Sequence, residues 1–166
     1  MARYSVSFVS KTMVAVADGA SMTSNGYAVF LQGGSATMQL KVNEISVSGE
    51  DTASTPTTMA FGRDSVVGVT AITATSNFNA LLDATATAPG TLAVFGSGAT
   101  TNPTRSATLG HLLNPTLNTY GGIYRWQARV GEEIGIISAT QPLGECSLSS
   151  VTGNGKVSGH ILYELV

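Results

Sequence analysis

The sequence predicts an all-β protein that folds as a two-sheet sandwich or a barrel. Apolar and polar residues alternate with a period of two along several short segments, which is the pattern of half-buried strands. Turn-forming Gly, Asn, Asp and Pro residues separate these segments at short intervals. Only one short stretch has possible helical character, so strands account for nearly all of the predicted structure.

The first strands lie close to the N-terminus. Tyr4, Val6 and Phe8 alternate with polar residues, as expected for a strand with one buried face. Residues 27–31 form a short apolar run, which is typical of a strand buried on both faces. Residues 57–61 give a further strand, which ends at a glycine.

The most regular alternation runs through residues 38–47 and places Leu40 and Val42 on the inner face. The alternation slips by one residue at Asn43. A one-residue slip would turn every later apolar side chain outward, so we expect a β-bulge near Asn43 that keeps them inward.

The second half of the chain predicts five more strands, at residues 92–95, 123–129, 133–137, 146–151 and 157–164. Residues 152–155 between the last two are predicted to form a hairpin turn. Tyr124 and Trp126 alternate with polar residues, and we expect Trp126 to be largely buried as an anchor of the core. Ile161 is predicted to join these two residues, Leu40 and Val42 in the core.

Residues 64–92 have a different character, because they are rich in Ala and Thr. A short helix at residues 78–83 is the one helical segment that the sequence suggests. A connection of this length is unusual in a compact domain and generally marks a functional or subunit-contacting excursion.

Length and charge limit the type of protein. With 166 residues the chain fits a single domain, residues 1–166. Charged residues make up 11% of it, well below the typical value of about 25%, which indicates a neutral surface or one covered by partner subunits. We therefore expect a homo-oligomer, most simply a trimer. The net charge of −2 and the lack of a basic cluster argue against nucleic acid as a partner.

Residues suited to catalysis or metal binding are few. His111 and His160 are the only histidines and lack metal-ligand spacing, and Cys146 is the only cysteine. Cys146 is predicted to be a small buried hydrophobe, and the absence of a disulfide partner fits assembly in a reducing cytoplasm. Ser97 lies between two glycines, but no nucleophile signature surrounds it. We expect no cofactor, no metal ion and no enzymatic activity.

Two further motifs receive structural interpretations. Residues 152–156 resemble the end of a phosphate-binding loop but lack its first glycine and its Ser or Thr, so a turn explains them better. Glu132 and Glu133 form an adjacent acidic pair, and they fit a turn better than a glycosidase site. Aromatic residues that could stack on sugars, but more often fill a core, are Tyr120, Tyr124 and Trp126.

The N-terminal segment contains no apolar stretch long enough for a secretion signal or a membrane span. We therefore expect the protein to remain where it is made, with no membrane partner.

Several segments resemble a family of small proteins of tailed phages, the capsid decoration or cement proteins. The resemblance rests on residues 59–65 (MAFGRDS), 120–126 (YGGIYRW), 144–150 (GECSLSS) and 159–164 (GHILYE). It covers the second two-thirds of the chain and includes no catalytic motif.

The resemblance implies a jelly-roll sandwich that assembles as a trimer on the outside of a phage capsid and binds the major capsid protein. It implies that the protein stabilises the assembled shell and is located in the virion. The closing strand is also similar to sandwiches at fibre tips, so a receptor- or carbohydrate-binding head domain is the alternative. A sandwich hydrolase ranks third.

Overall fold

The computed structural model describes residues 3–23, 25–32, 39–64, 79–82, 93–95, 102–137 and 144–166. These residues contain twelve β-strands and no helix, so the predicted all-β class is confirmed. Nothing in the described ranges forms a helix long and apolar enough to cross a membrane.

The strands are short to medium in length and follow each other closely along the chain. They are β1 (Arg3–Met13), β2 (Tyr27–Gln32), β3 (Leu40–Gly49), β4 (Pro56–Arg63), β5 (Asn79–Leu81), β6 (Ala93–Phe95), β7 (His111–Leu113), β8 (Thr116–Asn118), β9 (Ile123–Gln127), β10 (Ile134–Ile136), β11 (Glu145–Thr152) and β12 (Gly155–Leu165).

Two six-stranded antiparallel sheets contain all of these strands. The first sheet has the order β10-β3-β12-β1-β5, and β9 pairs with the same edge of β3 as β10. The second has the order β6-β2-β11-β4-β7, and β8 shares the edge of β4 with β7. Thus β9 and β10 act as one interrupted edge strand, and so do β7 and β8.

The strand order is that of a jelly roll. Strands β1 to β4 alternate between the sheets, and the last two strands, β11 and β12, each insert between two earlier ones. The resulting four-strand cores, β1-β12-β3-β9 and β2-β11-β4-β7, form the two interlocked Greek keys of this fold. The predicted jelly-roll-like sandwich is confirmed.

The inner faces of the two sheets enclose one apolar core. Leu40, Val42 and Ile161 are fully buried in it. The ring of Tyr163 stacks on that of Tyr4 with centroids 5.4 Å apart. Each fully buried large apolar side chain contributes about 1.5 to 3 kcal/mol relative to an exposed one, so this cluster supplies the main stabilisation of the sandwich.

The predicted β-bulge near Asn43 is confirmed. Leu162 of β12 is paired with Glu44 and Tyr163 with Val42, so Asn43 is the extra residue on β3. Both Val42 and Ile45 consequently point into the core. The bulge also turns Glu44 to the outer face of the first sheet, where it forms the ion pairs described below.

The predicted short helix at residues 78–83 is wrong where the structure describes it. Residues 79–81 form β5, which pairs with residues 4–6 of β1. A six-residue helix is marginal in water, whereas the edge of β1 offers backbone partners to an extended segment. Most of the predicted long connection, residues 64–92, lies outside the described residues.

Trp126 and Tyr124 are partly buried, in contrast to the fully buried Leu40, Val42 and Ile161. The ring of Trp126 packs against the core cluster from its margin. The reason is topological: β9 is an edge strand, so its inward side chains meet the core from one side only.

Replacing Tyr163 by Ala should lower the free energy of unfolding by about 3 to 5 kcal/mol, because it removes a fully buried ring. The Trp126→Ala variant should lose clearly less free energy of unfolding, because part of the Trp126 ring is already in solvent. Urea denaturation of both variants measures the difference. An equal loss would identify Trp126 as a core anchor after all.

Candidate functional site

The outer face of the second sheet is covered by the chain itself. Residues 14–23 and 102–110, which we call the cover, bind each other through the Met22 N–H to the Pro103 carbonyl (2.8 Å) and the Gly19 N–H to the Arg105 carbonyl (2.9 Å). A second apolar cluster joins the cover to the sheet. It consists of Val16 and Met22 of the cover and Tyr27 and Phe30 of β2. The central strands β2 and β11 of this sheet are therefore buried on both faces.

Arg105 fixes the cover to the sheet. Its side chain is 1% exposed, although it is charged. Its guanidinium donates to the carbonyl of Val16 in the cover and, over 2.9 Å, to that of Ser150 in β11. The buried guanidinium thus joins three separate parts of the chain. Burial lowers the pKa of Arg105, and Asp18 opposes this effect.

Asp18 links Arg105 to the first of the two histidines. Its Oδ1 atom lies 3.5 Å from Nη1 of Arg105 and 2.9 Å from Nε2 of His111. Asp18 itself is partly exposed, so the Arg105 cluster reaches the surface here. The role of these contacts is to supply a counter-charge for Arg105 at the margin of the cover.

Two carboxyl groups are also buried on this face. Asp64 accepts a hydrogen bond from the Ser147 hydroxyl (3.1 Å), and Glu145 accepts one from the Gln32 side-chain amide (3.0 Å). Burial raises the pKa of Asp64 to about 8 and that of Glu145 to about 7. Within the described part of the chain, one oxygen of each carboxyl has no hydrogen-bond partner.

The outer face of the first sheet is open and lined by small polar side chains. We call it the serine face, defined by Ser5, Ser7, Ser46, Ser48 and Ser158. All five are partly exposed and alternate with core residues along β1, β3 and β12. The register places Ser7, His160, Ser46 and Arg125 side by side across four strands. The surface is therefore flat and shallow.

The charges on the serine face compensate one another. Glu44 accepts two hydrogen bonds from Arg125, at 3.0 and 2.8 Å, and lies 3.2 Å from Nε2 of His160. The hydrogen bonds from Arg125 lower the pKa of Glu44, and the contact with His160 adds a smaller effect in the same direction. Burial of the Glu44 side chain opposes this shift but does not cancel it. Glu44 is therefore ionised at neutral pH and neutralises Arg125.

Two exposed apolar side chains flank the serines. Val9 is 71% and Ile123 is 78% exposed. Val9 lies in a bulge of β1 opposite Ser158, which neighbours Ser48 and then Ile123, so about 14 Å separates the two side chains. Ser10 completes the bulge with a φ of 52° and donates its hydroxyl hydrogen to Glu50 over 2.7 Å. The bulge is thus fixed by side-chain contacts.

The described surface has shallow depressions rather than a deep pocket. One of about 240 Å³ lies beside the serine face and is lined by Arg3, Glu44, Gln127 and Leu162 among others. Another, of about 410 Å³, lies at one end of the sandwich near Asp51 and Lys156. No group of three His, Cys, Asp or Glu side chains within the described ranges is arranged to hold a metal ion.

The structure separates the residues with catalytic potential. His160 lies on the serine face and His111 beside the cover, on opposite sides of the sandwich. Cys146 is buried in the core, and burial raises its pKa to about 12, as expected of an inert thiol. Glu133 lies in the turn between β9 and β10. Ser97 lies outside the described residues.

The predicted turn between β11 and β12 is confirmed, with Gly153 at a φ of 75°. Tyr120 is 62% exposed, in contrast to the partly buried Tyr124 and Trp126. Sequence reasoning missed Asp64, Arg105 and Glu145. Each is a single charged residue next to a strand or in a loop, and no local pattern distinguishes it from a solvated one.

Comparison with protein-family models, with curated proteins and with solved structures finds no match for this chain. The resemblance to phage decoration proteins therefore stays a prediction.

Replacing Arg105 by Ala should lower the free energy of unfolding by about 3 to 5 kcal/mol, because it removes a fully buried charged side chain together with its hydrogen bonds to the Val16 and Ser150 carbonyls and its ion pair with Asp18. Arg3→Ala is the matched control. Arg3 is 71% exposed and 4.0 Å from Glu164, so its loss should cost about 0 to 1 kcal/mol. Denaturant unfolding compares the two, and similar losses would mean that Arg105 does not hold the cover.

Stability should fall as the pH rises from about 5 to about 9. Folded Asp64 and Glu145 keep their protons to about pH 8 and 7, whereas the unfolded carboxyls release them near pH 4. The stability that these two protonated carboxyls contribute is fully present below the pKa of the unfolded carboxyls. It is lost as the pH rises through the pKa values of Glu145 and Asp64 in the folded protein. Thermal unfolding across this range measures it. Asp64→Asn should flatten the profile, and an unchanged slope would exclude Asp64 as its source.

Proposed function

We propose that this chain is a structural binding protein of a virus particle, a capsid decoration protein that attaches through its serine face. The observation that carries the proposal is the contrast between the two outer faces. The cover buries one of them, whereas the other is open, flat and free of a deep pocket in its described part. Such a surface suits a broad protein contact better than a small ligand.

The composition of the serine face supports this use. Serine side chains are short, so a partner surface can approach the sheet closely. Because Glu44 already neutralises Arg125, docking would not bury an unpaired charge at that position. Val9 and Ile123 add two apolar contacts at the margins. The partner in this proposal is the major capsid protein.

The fold and the charge content agree with a role on a virion. Jelly rolls are common in viral capsid proteins and in lectins. With 11% charged residues the chain has a neutral surface suited to packing in many copies. Many weak contacts on a symmetric shell act together, so each contact need not be strong. Trimeric assembly stays a prediction within this proposal.

A carbohydrate- or receptor-binding head is the second candidate, and the exposed ring of Tyr120 favours it. Tyr120 is the only aromatic among the strongly exposed large hydrophobic residues of the described part. Stacking on sugars generally uses a groove with several polar groups around the ring. A single ring in a turn is weaker support than a whole sheet face.

Charged substitutions on the serine face should prevent attachment to particles. Ser48→Arg and Ile123→Asp place a charge on that face without touching the core, so each should reduce occupancy by about tenfold or more. Particles stripped of the protein are incubated with each recombinant variant and sedimented. Quantitative mass spectrometry then gives the bound copy number, which for the unmodified protein should be comparable to that of the major capsid protein.

Ala107→Arg is the matched control, because Ala107 is a small exposed residue in the cover on the opposite side of the sandwich. This variant should bind like the unmodified protein, and all variants should have similar melting temperatures. Loss of binding in the control alone would place the contact on the cover. A low copy number for the unmodified protein, with no effect on the thermal stability of the particle, would favour the receptor-binding head.

A further inference from the structure

Asp64 and Glu145 form a buried acidic pair beneath the outer face of the second sheet. The Asp64 N–H donates to the Glu145 carbonyl over 3.3 Å, so the two residues are neighbours at the ends of β4 and β11. Both side chains point to the outer face of the sheet. Cys146, next to Glu145, points into the core, and so does Phe61, which lies an odd number of residues before Asp64 in the same alternating extended segment. Each of the two residues is 1% exposed.

No cation of the described residues contacts the pair, although the charge of Arg105 acts on Asp64 from a distance. Oδ2 of Asp64 and Oε2 of Glu145 are buried without any hydrogen-bond partner among the described residues. Within the same part of the chain, no cationic group lies within 4.0 Å of either carboxyl, and Arg105 forms its ion pair with Asp18 instead. Arg63 lies opposite Cys146 and donates to the Gly135 carbonyl of the other sheet. Two buried carboxyls are thus left to hold protons or a cation.

We propose that Asp64 and Glu145 bind a hard divalent cation, Ca²⁺, in place of their protons. The exchange balances, because two carboxylic acids release two protons and one Ca²⁺ neutralises the two carboxylates. The Ser147 hydroxyl oxygen is a neutral oxygen on the same patch, and rotation of the Gln32 amide, which now presents Nε2 to Glu145, would supply a second one. Ca²⁺ accepts such mixed oxygen ligands in flexible geometry, whereas Mg²⁺ requires a near-ideal octahedron and dehydrates reluctantly.

The donor set argues against softer metals. No histidine belongs to the pair, and the thiol of Cys146 points to the opposite side of the sheet. Among the described residues, no third His, Cys, Asp or Glu side chain forms a metal-binding group with the pair. Further ligands at this position would therefore be neutral oxygens. Such a set is typical of Ca²⁺ rather than Zn²⁺. The bound ion would satisfy both orphaned oxygens and fasten β4 to β11 beneath the cover.

Calorimetric titration with CaCl₂ and thermal unfolding of chelator-treated protein test the proposal. At pH 8 the melting temperature should rise by several degrees with millimolar CaCl₂, and the same concentration of MgCl₂ should have a smaller effect. Because the ion displaces protons, Ca²⁺ affinity should be at least about tenfold weaker at pH 6 than at pH 8. No heat and no shift at pH 8 would overturn the proposal, and so would an affinity independent of pH.

Asp64→Asn and Glu145→Gln keep the size of the side chains and should each abolish the response to Ca²⁺. Either variant suffices if the other fails to fold. Asp51→Asn, which alters a carboxylate in the depression at the end of the sandwich, is the control and should respond like the unmodified protein. A response that persists in both acidic-pair variants would show that Ca²⁺ binds elsewhere. The assay uses isolated protein, so its outcome is independent of the proposed attachment to capsids.

Discussion

The buried guanidinium of Arg105 is the interaction on which the rest of the structure depends. A buried charge is tolerated only when it is paired and hydrogen-bonded, and Arg105 obtains its partners from two segments that are distant in sequence, residues 16–18 and Ser150 of β11. Meeting this requirement forces residues 14–23 and 102–110 onto the second sheet. The outer face of that sheet thereby becomes a second core, and only the first sheet keeps a face available to a partner.

The two outer faces solve the same electrostatic problem in different ways. On the covered face, Asp18 is the counter-charge of Arg105, and among the described residues no cation contacts the acidic pair. On the serine face, Glu44 and Arg125 pair with each other at the surface. Arg125 is 61% exposed there, so its guanidinium stays partly hydrated and its desolvation costs little. The covered face therefore ties distant segments of the chain together, whereas on the serine face the charges of Glu44 and Arg125 offset each other at the surface.

Sequence reasoning succeeded where the physics is local and failed where it depends on distant segments. Alternation within β3 was sufficient to predict both its buried residues and the bulge at Asn43, because a slipped register would expose Ile45. The position of Trp126 at the margin of the core follows from the edge position of β9, which alternation does not encode. Arg105 stands in a Thr-rich loop, and its burial depends on carbonyls that are 45 and 89 residues away.

The topology makes both faces depend on the C-terminal strands. In each sheet the central position belongs to β11 or β12, which pair with strands near the opposite end of the chain, as Arg3 does with Glu164. Ser150 of β11 accepts from Arg105, and His160 of β12 contacts Glu44. Neither the cover nor the serine face is complete before these strands insert, and such non-local pairing folds slowly. Under the proposed attachment, a partner would therefore bind only the fully folded chain, since a partly folded chain lacks the middle of the serine face.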